Sequence, residues 1–486
     1  MILNNVNFNN LSLEELKKLI DKYRIHPNSN QLNRNDMLSL IKQYLINKIN
    51  GYNNNNNKSI NLKKTISVPK KNYKKQINTI NRTVSHPITS NEKGKAILNH
   101  NKGVLYNEQQ NKLNNNIIDQ KYENINIYPK VNKIIAIGDL HGDLRITLIS
   151  LKLAEVIPEN INTYNFSLDQ IKWTGGNTWV VQTGDQIDRC RPDSWNNDCI
   201  EDFSEVYDDE GNNMVIMKIF QILDTQARKF GGRVITLLGN HELMNVDKDY
   251  RYVSPKEFLE FVPKNERNNK MTSDGYPYGY HHRLKAFQRG GNIANYYSKN
   301  KTSIVIIGGW LFVHGGINEE LASKYTIQEI NNCVSKWLSN TENNTEYDIF
   351  DEIFRQDDDI SPFWCRIFGD NEEENTVEHF DNVLKILNKR NKLLEPIQGM
   401  VIAHTPQYMN NLYLNSLYNN RLWRIDVGMS RAFGEHSMCG PNIYRQIQIL
   451  IINNNNQFEI KKKPFHGRVP TIGMGENVNL SNPNFL

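Results

Sequence analysis

The chain has 486 residues, 38% of them hydrophobic, and a formal net charge of +5 at pH 7. Residues 1–130 carry 21 Lys and Arg against 8 Asp and Glu, whereas the remainder carries 37 basic and 45 acidic residues. This length predicts one large hydrophobic core behind a basic N-terminal region, and 5 cysteines in a chain so long exclude a disulfide framework.

The first predicted element is a helical hairpin over residues 1–48. Apolar residues at helical spacing run from Leu11 to Ile20 and again from Met37 to Leu45, with a turn-rich stretch between them. The pattern resembles a SAP-type module, a small family often associated with DNA binding, although the connecting loop lacks the family's usual Gly-Lys turn. A hairpin that docks to another protein is the favoured alternative, because matches to motifs this short are often accidental.

Residues 49–128 are rich in Asn and Lys, have few aromatic residues and show no sustained periodicity. Such a stretch cannot bury enough apolar area to offset the entropy of the chain, so it predicts a disordered linker. The basic balance of residues 1–128 indicates a DNA or other anionic partner, with a solvated lysine-rich linker as the alternative.

From residue 129 onward, short β-rich runs alternate with helical patterns such as Asn213–Lys229 and Thr376–Arg390. This alternation predicts an α/β catalytic domain over residues 129–470, followed by a tail over residues 471–486. Gly308-Gly309 between two of the runs predicts a tight hairpin. The predicted strands are Lys133–Ile137, Trp179–Gln182, Val234–Leu238, Ser303–Ile307, Trp310–Val313, Met400–Ala403, Leu422–Val427 and Ile447–Ile452.

Motifs rich in Asp, His, Asn and Gly come directly after five of these strands. Because α/β sheets place their sites beyond the carboxyl ends of strands, we expect the motifs to meet. One such motif by itself would more often be a turn or a core histidine, but chance does not explain the ordered set. The motifs are Gly138-Asp139-Leu140-His141-Gly142-Asp143, Gly184-Asp185-Gln186-Ile187-Asp188-Arg189, Gly239-Asn240-His241-Glu242, His314-Gly315-Gly316 and Ala403-His404-Thr405-Pro406, with Ser361-Pro362-Phe363-Trp364-Cys365-Arg366 as a weaker sixth.

The donors in these motifs suit two divalent cations, with Mn²⁺ expected in vitro and Fe or Zn as alternatives. Asp139 and His141 would bind the first ion, and Asp185 is the natural carboxylate to bridge both. The second ion would be completed by Asn240, His314 and His404. A water that bridges two cations loses its proton near neutral pH, which supplies hydroxide for in-line attack on phosphorus.

Three further residues fit catalytic and phosphate-binding roles. His241 directly follows Asn240 and should face the same cavity, where Asp188 could orient it as the acid that protonates the leaving oxygen. Arg189 is placed to hold two phosphate oxygens in its fork, and Asn240 is a second phosphate-binding candidate.

The motifs resemble those of the calcineurin-like metallophosphoesterase superfamily, and within it the PPP-type phosphoprotein phosphatases, over roughly residues 130–435. The stretches Arg289-Gly290-Gly291, Ser361–Arg366 and Ile425–Ser430 are most similar to the Shewanella-like phosphatases. The resemblance implies a β-sandwich flanked by helices, hydrolysis of phosphomonoesters with Mn, Fe or Zn, and the metal ligands named above. It also makes Arg366 a candidate phosphate-binding residue, with a surface arginine as the alternative.

Two functions are consistent with these features. The first is a phosphoprotein phosphatase, with a phosphorylated protein as its substrate. The second is a nucleotide or nucleic-acid phosphoesterase, including a dinucleoside polyphosphate hydrolase, tethered to DNA by the basic N-terminal region. Nucleases of this superfamily usually carry a second His two positions after the fourth-motif His. That position is Pro406 here, which favours the phosphatase.

Cys190 and Cys199 bracket an unusual insert that begins Cys190-Arg191-Pro192. Their spacing fits no standard zinc pattern, so we expect two unpaired or buried thiols in preference to a disulfide. No signal-peptide pattern follows Met1, and no apolar run approaches the roughly 20 residues that span a bilayer. These features predict a soluble protein of a reducing compartment, the cytoplasm by default, with the nucleus or a virus particle as alternatives.

Overall fold

The protein is described from a computed structural model of all 486 residues. The structure describes residues 126–464, apart from 192–198, 200–208, 269, 343–346, 357, 371–374, 411 and 434–444, and also Ser12 and Lys17. The chain divides into two units, Met1–Gln110 and Asn111–Leu486, and the account below concerns the second. The predicted hairpin, linker and DNA or anionic partner region therefore lie outside the described residues, as does the tail over 471–486.

Twelve strands are found in the described part of the chain, and most of them are short runs of mainly apolar residues. Seven of the eight predicted strands agree with observed strands to within about one residue at each end; the eighth, Leu422–Val427, stops at Arg424, because Ile425 onward forms a loop. The strands are β1 Ile127–Tyr128, β2 Lys133–Ile137, β3 Trp179–Gln182, β4 Arg233–Leu237, β5 Lys301–Thr302, β6 Ile304–Ile307, β7 Trp310–Val313, β8 Gly399–Ile402, β9 Asn415–Leu417, β10 Leu422–Arg424, β11 Gln446–Asn453 and β12 Gln457–Pro464.

These strands form two six-stranded sheets. One has the order β12-β11-β2-β3-β4-β5, in which β2, β3, β4 and β5 are parallel and β11 is antiparallel to both neighbours. The other has the order β1-β6-β7-β8-β10-β9, and its antiparallel β6–β7 pair is the hairpin predicted at Gly308-Gly309. Strand β1 extends the domain to residues 127–128, which the sequence assigns to the linker, because it pairs with the edge of β6.

Ten helices of the described residues connect and flank the sheets. Several begin at polar caps: the Asp143 side chain accepts from the Ile146 amide, and Thr326 and Glu329 form a reciprocal capping box. The helices are α1 Leu144–Leu153, α2 Asn213–Ala227, α3 Asn240–Val246, α4 Pro255–Leu259, α5 Tyr280–Phe287, α6 Asn292–Asn300, α7 Glu319–Lys324, α8 Ile327–Ser339, α9 Tyr347–Ile353 and α10 Val377–Arg390.

Alternation along the strands divides the apolar residues into two clusters. Trp310 and Phe312 of β7 share a core with β2 and β3 of the other sheet, whereas Leu311 and Val313 join the residues of α6, α8 and α10. Trp310 also meets Phe458 of β12 at 5.4 Å between ring centroids. Two sheets that share a core and carry helices outside them form the predicted β-sandwich flanked by helices, so the predicted fold class is confirmed.

One sequence prediction is wrong: Cys190 and Cys199 form a disulfide, with their Cα atoms 6.4 Å apart. Sequence spacing could not indicate the pairing, because the two cysteines are brought together by contacts with a segment about 50 to 60 residues further along the chain. The Cys190 amide donates to the Tyr252 carbonyl and the Cys199 amide to the Arg251 carbonyl, each at 3.0 Å. The predicted compartment stays a prediction. No described helix is long and apolar enough to cross a membrane.

Candidate metal centre

The six predicted metal ligands follow the carboxyl ends of five strands and come together in one buried site. Asp139 and His141 follow β2, Asp185 follows β3, and Asn240 opens α3 after β4. His314 follows β7 and His404 follows β8, so the second sheet contributes both of its histidines to the same place. Each of the six side chains is at most 6% exposed. The topology therefore collects polar donors where the ends of the two sheets meet.

Two groups of donors share the carboxylate of Asp185. The ligand atoms of His141, Asp185 and His241 lie within 4.8 Å of one another, and so do those of Asp185, His314 and His404. We call these the first and the second donor group. Asp185 Oδ2 lies 3.9 Å from His141 Nε2 and 3.3 Å from His314 Nε2. A carboxylate between two sets of imidazoles has the placement that a bridging ligand requires.

Asp139 and Asn240 complete the two groups. Asp139 Oδ2 lies 4.0 Å from His141 Nε2, and Asn240 Oδ1 lies 2.9 Å from His314 Nε2 and 3.1 Å from His404 Nδ1. Asp139 Oδ1 and His404 Nε2 are buried and have no hydrogen-bond partner among the described residues. Buried donor atoms left without a partner are costly, and a cation would satisfy them, so the residues fit a metal centre.

Backbone carbonyls orient two of the imidazoles. His314 Nδ1 lies 2.9 Å from the Thr183 carbonyl and His141 Nδ1 lies 3.2 Å from the Ile187 carbonyl. A ring nitrogen that donates to a carbonyl fixes the tautomer and leaves the other nitrogen as an acceptor. Nε2 of each ring, which faces Asp185, is therefore the atom for a metal.

The loops that carry the ligands are strained. His141, Asp185, Asp188 and His404 all adopt positive φ, between 44° and 70°. Such backbone is uncommon for residues other than glycine and persists where the surroundings hold it, often at functional sites. Gly239 allows one loop to approach another, because a Cβ there would lie 2.1 Å from Asp185 Oδ1.

Buried carboxylates and imidazoles lie close together in the site and shift one another's pKa values. Burial and the nearby carboxylates of Asp426 and Asp185 raise the pKa of Asp139 well above its usual range. Burial also opposes ionisation of Asp185, but the positive charge of His314 and His241 outweighs it and holds the Asp185 pKa well below the ordinary value. Burial, followed by the Arg191 cation, lowers the pKa of His141. Imidazole binds a metal in its neutral form, which the lowered pKa of His141 favours.

His241 and Asp188, the predicted acid and its partner, are in contact. His241 Nδ1 lies 2.8 Å from Asp188 Oδ2, and the Asn245 amide donates to both oxygens of Asp188, at 2.9 and 3.0 Å. Arg283 Nη2 lies 3.4 Å from Asp188 Oδ1. His241 Nε2 lies 3.8 Å from Asp185 Oδ2, so the ring faces the first donor group.

The three predicted phosphate-binding side chains lie in different places. Asn240 is between His314 and His404, as described above. Arg366 Nη1 lies 3.5 Å from the His404 carbonyl and 3.3 Å from Thr405 Oγ1, so it borders the second donor group. Arg189 Nη1 lies 3.5 Å from Ser430 Oγ, and the Ser430 hydroxyl in turn lies 3.4 Å from the His141 carbonyl.

Sequence reasoning missed the buried acids that hold these loops in place. Glu242 accepts hydrogen bonds from the amides of Gly239, Asp185 and Gln186 at 2.7–2.9 Å. Glu257 accepts from the amides of Asp188 and Arg189 at 3.0–3.1 Å. Glu242 could have been found as the third helical residue after Gly239, a capping position. No local signal indicates Glu257, because its partners are 68 and 69 residues away.

Sequence reasoning about the insert also missed Arg191. Its guanidinium lies at the first donor group, with Nη2 2.8 Å from His141 Nδ1 and 3.4 Å from His241 Nε2. In the sequence this residue lies between Cys190 and Pro192, where no local pattern indicates a site residue.

Comparison with known proteins agrees with this geometry. Residues 132–408 match the model of the calcineurin-like phosphoesterase family. The chain is 26% identical to Shewanella-like protein phosphatase 2 of Arabidopsis thaliana over 368 residues, which is 70% of this chain and 81% of that protein. It is 29% identical to Shewanella-like protein phosphatase 1 of Plasmodium berghei, over 68% of this chain and 77% of that one.

A solved structure of a cold-active protein-tyrosine phosphatase from Shewanella covers 69% of this chain and 81% of its own, with 21% identity and a TM-score of 0.43. The family match spans more than half of the chain and contains all six motifs, from Gly138 to Pro406. The chain belongs to the calcineurin-like phosphoesterase family, and it has relatives among the Shewanella-like protein phosphatases.

Proposed function

We propose that this protein is a phosphoprotein phosphatase that hydrolyses phosphomonoesters with two divalent metal ions. The observation that carries the proposal is the position of Asp185, whose carboxylate belongs to both donor groups. A single shared carboxylate between two sets of imidazoles is what a dinuclear site needs and a mononuclear site does not. The family match supports metal-dependent phosphoester hydrolysis.

In this proposal the site holds two ions, and His241 of the first donor group serves as the acid and not as a ligand. Asp139, His141 and Asp185 would bind the first, and the second would be bound by Asp185, Asn240, His314 and His404. Carboxylate, amide and imidazole donors suit Mn, Fe or Zn, and Mn²⁺ is the ion to supply in vitro. The bound ions would activate the attacking water and neutralise charge on the phosphate.

The protein's own side chains would supply the proton and hold the substrate. His241, oriented through its Nδ1 contact with Asp188, presents Nε2 toward the first donor group and would protonate the leaving oxygen. Arg189 and Asn240 would bind phosphate oxygens. Arg366 beside His404 would be a further phosphate contact, on the side of the second donor group.

Two features support a protein substrate over a nucleic acid. The relatives in Arabidopsis thaliana and Plasmodium berghei are named protein phosphatases. Pro406 occupies the position where nucleases of the superfamily usually carry a further metal-binding His, and proline has no donor side chain. The second donor group therefore has the smaller ligand set expected of a phosphatase.

The test is a hydrolysis assay on the full chain supplied with Mn²⁺. It compares p-nitrophenyl phosphate, phosphotyrosine and phosphothreonine peptides, diadenosine tetraphosphate and single-stranded DNA, with Asp185→Asn as the inactive control. We expect turnover of p-nitrophenyl phosphate and at least one phosphopeptide, and no cleavage of DNA. Activity on the dinucleotide or on DNA alone would overturn the protein phosphatase proposal.

A further inference from the structure

We propose that Arg191 binds the phosphate group of the substrate and that the Cys190–Cys199 disulfide holds it in position to do so. The inference rests on the proposed function, since it assigns a residue to the same site. Arg191 is not part of the six motifs. Its guanidinium nevertheless lies at the first donor group, 2.8 Å from His141 Nδ1, 2.9 Å from His141 Nε2 and 3.4 Å from His241 Nε2.

The charge of Arg191 has no carboxylate partner among the described residues within ion-pair distance. Its Nη2 atom lies against the imidazoles, and its Nη1 atom donates to two backbone carbonyls, those of Asp188 at 3.2 Å and Cys190 at 2.7 Å. The side chain is only 7% exposed. Two other buried arginines differ: Arg431 is paired with Asp143, and Arg283 with Asp188. A buried cation without a counter-charge favours an anion, and the substrate brings one to this place.

Two aromatic rings hold the guanidinium without neutralising it. The Cζ atom of Arg191 lies 5.1 Å from the ring centroid of Tyr252 and 5.0 Å from that of Phe433. Aromatic faces attract a cation through their quadrupole and form no ion pair with it. The same rings pack against the imidazoles of His241 and His141, at 5.0 and 5.3 Å between centroids. The rings thus leave the charge of the guanidinium uncompensated and available to a phosphate oxygen.

The disulfide anchors the segment from which this side chain projects. Cys190 and Cys199 are both buried, and their amides donate to the carbonyls of Tyr252 and Arg251. The two amide hydrogen bonds therefore hold the backbone next to Arg191 against the segment that supplies one of its aromatic walls, and the disulfide joins the two points of attachment. A preorganised arginine loses less conformational entropy when it binds phosphate than one on a free loop.

Arg191 and Arg189 serve different parts of the site. The Arg189 guanidinium reaches Ser430 and, together with Arg431, lowers the pKa of Asp143, the cap of α1. Arg191 faces the imidazoles. The effects of substitutions at the two positions can therefore be distinguished from each other.

The experiment compares binding of inorganic phosphate to the Mn²⁺-loaded wild type, Arg191→Gln and Arg191→Lys by isothermal titration calorimetry. Metal content is measured on the same samples. We expect Arg191→Gln to bind phosphate at least about tenfold more weakly, because it loses a charged hydrogen-bonding group. Arg191→Lys keeps the charge without the fork and should fall between the two. Both variants should retain the metal content of the wild type.

Arg251→Lys is the matched control. The Arg251 guanidinium also lies over Tyr252, at 5.7 Å, but it is bound to the carboxylate of Asp249. Its substitution should leave phosphate affinity unchanged. Wild-type affinity in Arg191→Gln at full metal content would overturn the inference, and so would a wild type that binds no phosphate. Parallel loss of metal and phosphate in both Arg191 variants would show that the residue only supports the imidazoles, which overturns it as well.

Calorimetry also separates this inference from the proposed function. If the wild type hydrolyses no phosphomonoester but binds phosphate through Arg191, the proposed function fails and the inference stands. If phosphopeptides are hydrolysed while Arg191→Gln keeps full phosphate affinity, the inference alone fails.

Discussion

His241 and Asp188 form a buried pair in which Nδ1 of the imidazole lies 2.8 Å from Oδ2 of the carboxylate. Asn245 and Arg283 hold the carboxylate from its other sides. The imidazole is thereby oriented with Nε2 toward Asp185 and the first donor group. A ring fixed in this way can deliver a proton to an oxygen bound beside it, and this leads to the first prediction.

His241→Asn should reduce kcat more strongly for a phosphoserine peptide than for p-nitrophenyl phosphate. A serine alkoxide needs a proton as it leaves, whereas p-nitrophenolate departs without one, so only the first reaction loses general-acid catalysis of about 10²–10⁴-fold. The check is a comparison of kcat for the two substrates. His281→Asn is the matched control, since His281 forms an exposed pair with Asp274 at 2.8 Å. Equal losses on both substrates would argue against a general acid.

Asp185→Asn should lower metal binding and hydrolysis together. The amide keeps the shape of the carboxylate but loses the charge that both donor groups share, so we expect activity to fall at least about 100-fold. Metal content by elemental analysis should drop from two ions per chain toward one or none. Asp381→Asn, which removes an exposed partner of Arg421, should change neither quantity. Full metal content and activity in Asp185→Asn would rule out the bridging role.

Glu242→Gln should destabilise the protein and weaken its metal binding. The carboxylate accepts three amide hydrogen bonds from the two ligand loops, and an amide group offers one acceptor oxygen in place of two. Leaving a buried donor without a partner costs about 1–3 kcal/mol. Urea unfolding measures the loss. Glu329→Gln alters an exposed capping box with the same local chemistry and should cost less.

Glu260 should make stability depend on pH. Burial raises the pKa of this carboxyl to about 8 from an ordinary 4.5, while it accepts from the Asn213 and Met214 amides. Between these values the folded chain binds more protons than the unfolded chain, so the Glu260 contribution to stability falls as pH rises from about 4.5 to about 8. Relative to Glu260→Gln, the wild type should lose a few kcal/mol over that window. A stability difference that is constant between pH 5 and pH 8 would contradict this.

Replacing both Cys190 and Cys199 by Ser should lower the free energy of unfolding by about 2–4 kcal/mol, because the unfolded chain is no longer constrained. Phosphate affinity should fall as well, since Arg191 loses its anchor. Calorimetry and urea unfolding measure the two effects. A reductant should reproduce both in the wild type and add nothing to the double variant. Unchanged phosphate affinity in the double variant would separate the disulfide from the positioning of Arg191.

The sequence by itself determined the strands around the site and the positions of the proposed ligands after them. Short apolar runs predicted the strands, and the polar motifs after them predicted where Asp139, Asp185, Asn240, His314 and His404 would stand. This worked because strand periodicity and the loop after a strand are local properties. The family and the fold class followed from the same motifs and are confirmed.

Tertiary structure decided which other residues join the site. Glu257 reaches the Asp188–Arg189 loop from 68 and 69 residues away, and Arg191 enters because a disulfide and two carbonyls turn its segment toward His141. No spacing rule contains such contacts, since burial and loop path arise only when the two sheets pack. Candidate ligands near strand ends can thus be predicted from the sequence. The residues that position these ligands or change their pKa depend on which distant segments come into contact.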